Sequence, residues 1–241
     1  MKKYIPNTLT LLNLFCGSVG VIFAVNNNFV AAALFVFLGV FFDFFDGFAA
    51  RKLNVQSELG LQLDSLADVV TSGLVPGIVM YKLLVIVESD WGEVDLENGL
   101  ELPLIPLIGL SITMASAYRL AKFNIDTEQT NYFKGLPTPA NALLILSLPL
   151  ILEFQNNDTI NTIILNKWFL LGLTALSCYL LNSGIKLFAL KFKDWSFRAN
   201  ATRYIFLILS LVLLIVLRFA AIPLIIVTYI VMSLLDNLTA K

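Results

Sequence analysis

The sequence contains no histidine among its 241 residues. This absence excludes a Ser-His-Asp triad, a histidine general base and any metal site built on imidazole. A metal ion bound here would have carboxylate, carbonyl and water oxygens as its main ligands, the set that Mg²⁺, Mn²⁺ and Ca²⁺ prefer. The two cysteines, Cys16 and Cys178, lie in different apolar segments, so no disulfide framework is expected.

Charged residues are scarce as well. They make up 14% of the chain, whereas hydrophobic residues make up 58%. A soluble domain usually carries roughly 25% charged residues, so this composition indicates a membrane protein. Runs such as 30–42 and 204–217 are too apolar to form one face of a soluble helix. We therefore expect an all-α fold, a polytopic transmembrane helix bundle that forms a single domain over residues 1–241.

The apolar runs divide into about eight predicted helices. The predicted segments are 9–25, 30–50, 66–87, 103–123, 139–154, 168–180, 204–217 and 219–235. A polar break at 26–28 and an acidic, glycine-containing stretch at 89–101 separate neighbouring segments. The sixth and seventh segments are short for a complete crossing, which needs about 20 residues.

The distribution of basic residues predicts the orientation. If the N-terminus is cytoplasmic and every helix crosses, most basic residues fall on the cytoplasmic side, as the positive-inside rule requires. These are Lys2, Lys3, Arg51, Lys52, Arg119, Lys122, Lys134, Lys186, Lys191, Lys193, Arg198, Arg203 and Lys241. Only Lys82, Lys167 and Arg218 fall outside. We therefore expect a multi-pass protein of the cell membrane with both termini in the cytoplasm.

The stretch 184–195 mixes three lysines with aromatic and aliphatic residues. Such a segment is typical of a membrane interface, where basic side chains meet anionic lipid headgroups. A plain cytoplasmic loop is the alternative. Membrane lipids are thus expected partners, whereas a nucleic-acid partner is not.

Two pairs of aspartates lie near the cytoplasmic ends of the second and third predicted helices. Asp43 and Asp46 are three residues apart, and Asp64 and Asp68 are four apart. Either spacing places both carboxylates on one helix face. A short turn around 52–58 would bring the two pairs together, so the sequence predicts four carboxylates at one point just inside the membrane.

Such a cluster needs cations. An unpaired carboxylate at membrane depth costs about 2.5–3.5 kcal/mol on insertion scales, and neighbouring carboxylates also repel one another. Arg51 alone cannot neutralise four of them. One or two divalent ions would do so, and a pair of such ions is a common arrangement for displacement at phosphorus.

Small residues follow the first pair of aspartates on the same side of the helix. Gly47 lies four residues after Asp43, and Ala50 three residues later. A strip without bulky side chains beside the metals leaves room for a nucleotide. Helix packing, which also favours small residues, is the alternative for this strip taken alone.

The segment 43–68 matches the pattern D-x₂-D-G-x₂-A-R-x₈-G-x₃-D-x₃-D at every fixed position. A chance match at a given start has a probability on the order of 10⁻¹⁰. This pattern is the signature of the CDP-alcohol phosphatidyltransferases, and the chain resembles that family. The resemblance implies attack by an alcohol on the lipid-side phosphorus of a CDP-linked lipid, with CMP as the leaving group.

The resemblance also implies roles for individual residues. Two divalent cations, Mg²⁺ or Mn²⁺, would be bound by Asp43, Asp46, Asp64 and Asp68, and Asp68 is in addition the candidate general base for the acceptor hydroxyl. The CDP-lipid site would consist of Asn7, Gly47, Ala50, Arg51 and Gly60. A homodimer is expected from the family.

Segments outside the signature are similar to the serine-transferring branch of the family. They are 5–17 (IPNTLTLLNLFCG), 57–73 (SELGLQLDSLADVVTSG), 118–124 (YRLAKFN) and 133–140 (FKGLPTPA). Asn13 stands where the glycerol phosphate branch usually has arginine, and Lys122 stands where the family usually has arginine. The resemblance covers most of residues 5–140 and implies CDP-diacylglycerol as donor and L-serine as acceptor.

A free amino acid brings a carboxylate, which needs a cation that the metals do not use. Arg119 is the first candidate, followed by Lys122 and then Lys134 in the next loop. Each of them has the alternative role of an interface anchor. Asn13 is also assigned to the serine site, and it recurs with Asn7 and Thr10 at three-residue spacing on the first helix, as groups that would bind nucleotide or acceptor.

Other functions compete with this interpretation. Within the family, the acceptor could be inositol phosphate, glycerol phosphate or choline, and the donor could be an ether lipid. A membrane transporter is the alternative outside the enzymes, since buried acids also occur in transporters. The position of the acids at the cytoplasmic edge, inside a phosphotransfer signature, favours the enzyme.

Overall fold

The computed structural model describes residues 4–88, 104–126, 132–155, 157–188 and 200–239. The helices are α1 (Tyr4–Val25), α2 (Phe29–Leu53), α3 (Glu58–Glu88), α4 (Ser111–Ile125), α5 (Thr138–Phe154), α6 (Asp158–Ile164), α7 (Lys167–Asn182), α8 (Ala201–Leu217) and α9 (Ala221–Thr239). A 3₁₀ turn, Pro106–Leu110, precedes α4, and another, Arg218–Ala220, joins α8 to α9. Two short strands are β1 (Tyr132–Lys134) and β2 (Lys186–Phe188).

Each of the eight predicted segments corresponds to one of these helices. The predicted start of the third segment, at residue 66, is wrong, because α3 begins at Glu58. The short helix α6 was not predicted either. The predicted start at residue 103, the acidic stretch 89–101 and most of the interfacial segment 184–195 lie outside the described residues.

By length and composition, four segments of the described chain are able to cross a membrane: Tyr4–Val25, Phe29–Leu53, Glu58–Glu88 and Ala201–Leu238. The pair α6 and α7, bent by 62°, would make a fifth. The last segment is a hairpin, because Thr202 Oγ1 near its start donates to Asp236 Oδ1 near its end at 3.1 Å. Helices α8 and α9 are therefore antiparallel.

Polar residues define the helix ends around the aspartates. The side chain of Asn28 accepts a hydrogen bond from the Ala31 amide and caps α2 at its start. At the other end α2 stops at Asn54, whose φ of 52° is left-handed, a conformation that asparagine tolerates better than most residues. Ser57 then caps α3 by accepting from the Gly60 amide at 3.1 Å. The chain thus reverses within four residues, as the proximity of the two aspartate pairs requires.

Helix α3 is not regular throughout. Its residues Val69–Leu74 form a π-helical segment directly after Asp68. Thr71 in this segment donates from Oγ1 to the Asn13 carbonyl at 3.1 Å, and the Gly73 carbonyl accepts from Thr113 Oγ1 at 3.1 Å. Single π turns occur frequently at functional sites, and this one fixes α3 to both α1 and α4.

Glycine allows α2 to approach α1 and α3 closely. A Cβ atom at Gly39 would lie 2.6 Å from Thr71 Cγ2 and 2.8 Å from Asn13 Oδ1, which is too close for any side chain. The main hydrophobic core lies beyond this contact. It is formed by α1, α2, α3 and α5 with part of α7, and its largest fully buried members include Met80, Leu83 and Ile145.

The two strands are a departure from the predicted all-α fold. Tyr132, Phe133 and Lys134 pair antiparallel with Phe188, Leu187 and Lys186. Gly135, with a φ of +74°, turns the chain from β1 toward α5, and a Cβ there would lie 2.5 Å from the Leu181 carbonyl oxygen. This pair ties the start of α5 to the end of α7, beside the predicted acceptor residues.

Candidate functional site

Three aspartates meet where α2 and α3 come together. Oxygens of Asp43, Asp64 and Asp68 all lie within 4.8 Å of one another. The four-residue turn between the helices and the one-face spacing of the aspartates produce this convergence. The sequence predicted that the two aspartate pairs would lie together, and this prediction is confirmed for Asp43, Asp64 and Asp68.

The fourth aspartate lies beside them with a partner of its own. Asp46 is 6% exposed and accepts a hydrogen bond from Thr10 Oγ1 on α1. It lines the same cavity as Asp64. Thr10 was predicted to bind a ligand, but its hydroxyl is used instead to hold this carboxylate.

Asn13 holds the carboxylate of Asp68 in the same way, through a hydrogen bond. Its Nδ2 donates to Asp68 Oδ1 at 3.1 Å, and both side chains are almost completely buried. Asn13 Oδ1 is buried without a hydrogen-bond partner among the described residues. In this structure Asn13 therefore contacts the proposed base and retains one acceptor atom.

The donor set fits a divalent cation. Asp64 Oδ1 is buried without a hydrogen-bond partner. None of the four aspartates forms a salt bridge within the described ranges of the chain. Buried and half-buried carboxylates in such numbers need positive charge, and oxygen-only ligands suit Mg²⁺ or Mn²⁺.

A cavity of about 500 Å³ opens beside the aspartates. Every residue predicted for the CDP-lipid site lines it: Asn7, Gly47, Ala50, Arg51 and Gly60. Asp46 and Asp64 form its acidic side, while Gln56 and Ser57 extend it along the α2–α3 turn. Its volume lies within the range of about 300–1,000 Å³ that is typical of small-molecule sites.

The two glycines of this cavity are surrounded by its polar groups. A Cβ at Gly60 would lie 3.2 Å from Ser57 Oγ and 3.4 Å from Asn7 Oδ1. A Cβ at Gly47 would lie 3.4 Å from the Arg51 guanidinium. Side chains at either position would occupy space that the cavity now offers to a ligand.

Arg119 lies behind the cluster, on α4. It is 8% exposed, and its guanidinium carbon lies 5.9 Å from the centre of the Phe123 ring. Its charge acts on Asp68, and its Nε atom is buried without a hydrogen-bond partner among the described residues. A buried arginine with an unpaired donor near the proposed base is suited to bind an anion.

The two lysines that were predicted with Arg119 lie around the same small cavity. Lys122 is exposed, and Lys134 forms an ion pair with Asp126 at 2.9 Å. Of the three predicted cations, Arg119 is thus the buried one, and their roles in acceptor binding stay predictions.

Sequence reasoning missed several polar residues of this region. Asn182 and Ser183 line the cavity of Arg119. Ser65 on α3 and Asn124 on α4 hydrogen-bond to each other, with Asn124 Nδ2 donating to Ser65 Oγ at 2.9 Å. The only signal in the sequence was a polar pair at the end of an apolar run, at 182–183, and this pattern is too common to select a site.

The fold and the site define a class of protein: a helical protein with membrane-length apolar helices that gathers carboxylates beside a nucleotide-sized cavity. The chain belongs to the CDP-alcohol phosphatidyltransferase family, since the sequence profile of that family matches residues 3–180. The prediction that it is an enzyme, a phosphotransferase of this family, is thereby confirmed.

Relatives refine the position within the family. The CDP-diacylglycerol–serine O-phosphatidyltransferase of Bacillus subtilis is 36% identical over 156 residues, which are 64% of this chain and 78% of the relative. The protein of the same name from Methanocaldococcus jannaschii is 30% identical over 173 residues, 72% of this chain and 71% of the relative. An archaetidylserine synthase of Methanothermobacter thermautotrophicus is 32% identical over 146 residues, 59% and 56% of the two chains. The predicted resemblance to the serine-transferring branch is confirmed.

Proposed function

We propose that this chain transfers the phosphatidyl group of CDP-diacylglycerol to the hydroxyl of L-serine, giving phosphatidylserine and CMP. The observation that supports this most directly is the convergence of Asp43, Asp64 and Asp68 beside the 500 Å³ cavity. The names of the relatives from Bacillus subtilis and Methanocaldococcus jannaschii supply the acceptor.

The cavity between α1, α2 and α3 receives the CDP part of the donor. Gly47 and Ala50 leave space along α2, while Asn7, Gln56 and Ser57 offer hydrogen bonds to the nucleotide. Arg51 supplies positive charge at the rim. The lipid chains then extend from this site into the bilayer.

Asp43, Asp46, Asp64 and Asp68 would hold two divalent cations, Mg²⁺ or Mn²⁺. When bound, such ions neutralise the pyrophosphate and stabilise the charge that develops on the departing CMP. Thr10 and Asn13 fix the carboxylates of Asp46 and Asp68 before any ligand arrives.

Asp68 takes the proton of the acceptor hydroxyl. The serine oxygen then forms a bond to the lipid-side phosphorus, and the bond from that phosphorus to the oxygen of CMP breaks. Because Asn13 donates to Oδ1 of Asp68, Oδ2 is the oxygen left to accept the proton. A positioned base typically contributes about 10²–10⁴-fold to the rate.

Arg119 binds the serine carboxylate, and Lys122 assists from the exposed side of the same small cavity. Asn13, which the family resemblance assigns to the serine site, would act through its hydrogen bond to Asp68. Serine is thereby oriented with its hydroxyl toward Asp68. A phosphorylated acceptor would need more positive charge than this region provides.

We place the enzyme in the cell membrane as one multi-pass domain over residues 1–241, with the active site and both termini at the cytoplasmic face. Single cysteines at Asn54 and Asn166, in a background without Cys16 and Cys178, test this orientation. A membrane-impermeant maleimide added to intact cells should label position 166 and not 54. Labelling of position 54 alone would show that the protein has the opposite orientation in the membrane.

The enzyme is further expected to form a homodimer, as the family resemblance implies. Light scattering of the purified protein in detergent checks this expectation. A monomer that retains full activity would contradict it.

The assay for the reaction is release of CMP by purified protein with Mg²⁺ or Mn²⁺. Serine, glycerol 3-phosphate, inositol, inositol phosphate and choline are each offered with CDP-diacylglycerol, and chelator is the control. Metal-dependent release with serine alone, together with a phosphatidylserine product, is the expected result. Release of CMP with a different acceptor would be consistent with the proposed metal site, but it would refute the role of Arg119 in binding the serine carboxylate. Because an archaetidylserine synthase is among the relatives, a CDP-linked ether lipid is tested as second donor.

A further inference from the structure

A second, larger cavity lies away from the aspartates, between the α8–α9 hairpin and the rest of the helices. It has a volume of about 850 Å³ and is almost entirely apolar. Phe37, Ala140 and Leu143 form one wall, and Phe206, Ile222 and Ile226 form the other. Along α9 it runs from Ile222 to Tyr229, about 10 Å at the rise of an α-helix. Its volume, its length along α9 and its apolar lining suit a hydrocarbon chain.

One end of the groove carries a positive charge. Arg218 lines it at the turn between α8 and α9. This turn lies at the C-terminal end of α5, whereas Arg119 and the acceptor region lie near the start of that helix. Arg218 is therefore at the end of the bundle opposite to the aspartates.

The position of Arg218 is fixed by its neighbours. Gln155 at the end of α5 donates from Nε2 to the Leu217 carbonyl at 2.9 Å and accepts at Oε1 from the Ala220 amide at 2.8 Å. The rings of Phe154 and Phe219 contact each other at a tilt of 32°, with their centres 5.3 Å apart. The guanidinium of Arg218 forms no ion pair or side-chain hydrogen bond within the ranges that the structure describes.

We propose that this groove binds an anionic phospholipid, with one acyl chain along α9 and its phosphate on Arg218. The proposal rests on the membrane location given above and not on the transferase activity. An unpaired cation at the end of an apolar groove complements a molecule that is charged at one end and apolar along its length. A guanidinium matches phosphate oxygens well, and a basic side chain near the membrane surface contributes about 1 kcal/mol toward an anionic lipid.

The bound lipid is distinct from the donor. The donor has its charged head at the aspartates, and the lipid in the groove has its head at the other membrane surface. It would hold the thinly packed hairpin against α2 and α5. A structural lipid at this place stabilises the enzyme without taking part in phosphatidyl transfer.

The test is native mass spectrometry of the detergent-purified protein with added phosphatidylglycerol or phosphatidylcholine. Wild type should bind one phosphatidylglycerol roughly fivefold more tightly than phosphatidylcholine. Arg218→Gln should remove this preference, and Arg218→Lys should keep part of it. Lys82→Gln is the matched control, because Lys82 is a cation nearer the same end of the bundle and outside the groove. It should behave as wild type.

A second variant tests the apolar part of the site. Ala140→Phe fills the groove and should weaken binding of both lipids at least fivefold. The proposal is overturned if Arg218→Gln keeps the wild-type preference, or if Ala140→Phe binds both lipids normally. It is also overturned if CDP-diacylglycerol displaces phosphatidylglycerol one for one, since the groove would then hold a donor chain. Melting temperatures of all variants show that each is folded.

Discussion

Helix α3 and the α8–α9 hairpin are both apolar enough to cross a membrane, but they are packed very differently. In α3, 56% of the most apolar window is buried inside the protein, compared with 11% in the segment Ala201–Leu238. The family profile ends at residue 180, before the hairpin begins. Helix α3 lies within this matched region, which forms the proposed catalytic unit, and the hairpin lies outside it.

The difference in packing follows from the polar residues. Asp68, Thr71 and Ser72 are buried in α3, where they contact α1 or are enclosed by neighbouring helices. A polar group in a low-dielectric surrounding needs a defined partner, so α3 is held in one position. Helix α8 buries only Phe206, and its other side chains are suited to lipid contact. Changes to α3 should therefore alter chemistry or folding, and changes to the hairpin should not.

The largest effect is expected at the end of α3 that carries the proposed base. Asp68→Asn keeps the size of the side chain but removes its ability to accept the proton from serine. CMP release should fall about a thousandfold, within the usual contribution of a positioned base. Binding of CDP-diacylglycerol should remain measurable by titration. Glu153→Gln, which neutralises an exposed acid on α5, is the control. Turnover near the wild-type rate would remove Asp68 from the mechanism.

The second effect concerns the acceptor only. Arg119→Gln removes the proposed charged hydrogen bond to the serine carboxylate, a loss of about 1.5–3 kcal/mol. The KM for serine should rise roughly ten- to hundredfold, while the KM for CDP-diacylglycerol changes less than twofold. Lys122→Gln should have a smaller effect, because Lys122 is exposed. Equal increases in both KM values would mean that Arg119 supports the structure and does not bind serine.

Alanine substitutions at two glycines, one in a tight helix contact and one in open space, allow a direct comparison of tight and loose packing. Gly39→Ala places a methyl group against Thr71 and Asn13, and should destabilise the protein by about 1–3 kcal/mol. Gly172→Ala meets nothing within 4 Å, and should stabilise helix α7 by about 0.5–1 kcal/mol. Thermal unfolding in detergent measures both. The packing argument fails if the two variants melt at the same temperature.

The features that depend on local sequence pattern could be predicted. Apolar runs predicted the helices, and aspartate spacing predicted that Asp43, Asp64 and Asp68 would share one site. The residues that the family resemblance assigned to the CDP-lipid site line one cavity, and their binding role stays a prediction.

Contacts between distant segments were not predictable in this way. The β1–β2 pair joins residues more than fifty positions apart, and nothing in either strand specifies the other. The π-helical segment arises where Thr71 and Gly73 are held by α1 and α4. The pairing of Asp46 with Thr10 likewise depends on how α1 lies against α2, which no local pattern encodes.

The smallest effect is expected where the hairpin is attached. Gln155→Ala removes two hydrogen bonds to the α8–α9 turn, each with a net contribution of about 1 kcal/mol. Amide hydrogen exchange should become roughly five- to thirtyfold faster in α8 and α9 while α1, α2 and α3 keep their protection. CMP release should stay within twofold of wild type, because the catalytic unit does not depend on this contact. Glu153→Ala, two residues earlier, should leave exchange unchanged. Faster exchange throughout the molecule would show that the hairpin and the catalytic unit unfold together, and the contrast between them would then be wrong.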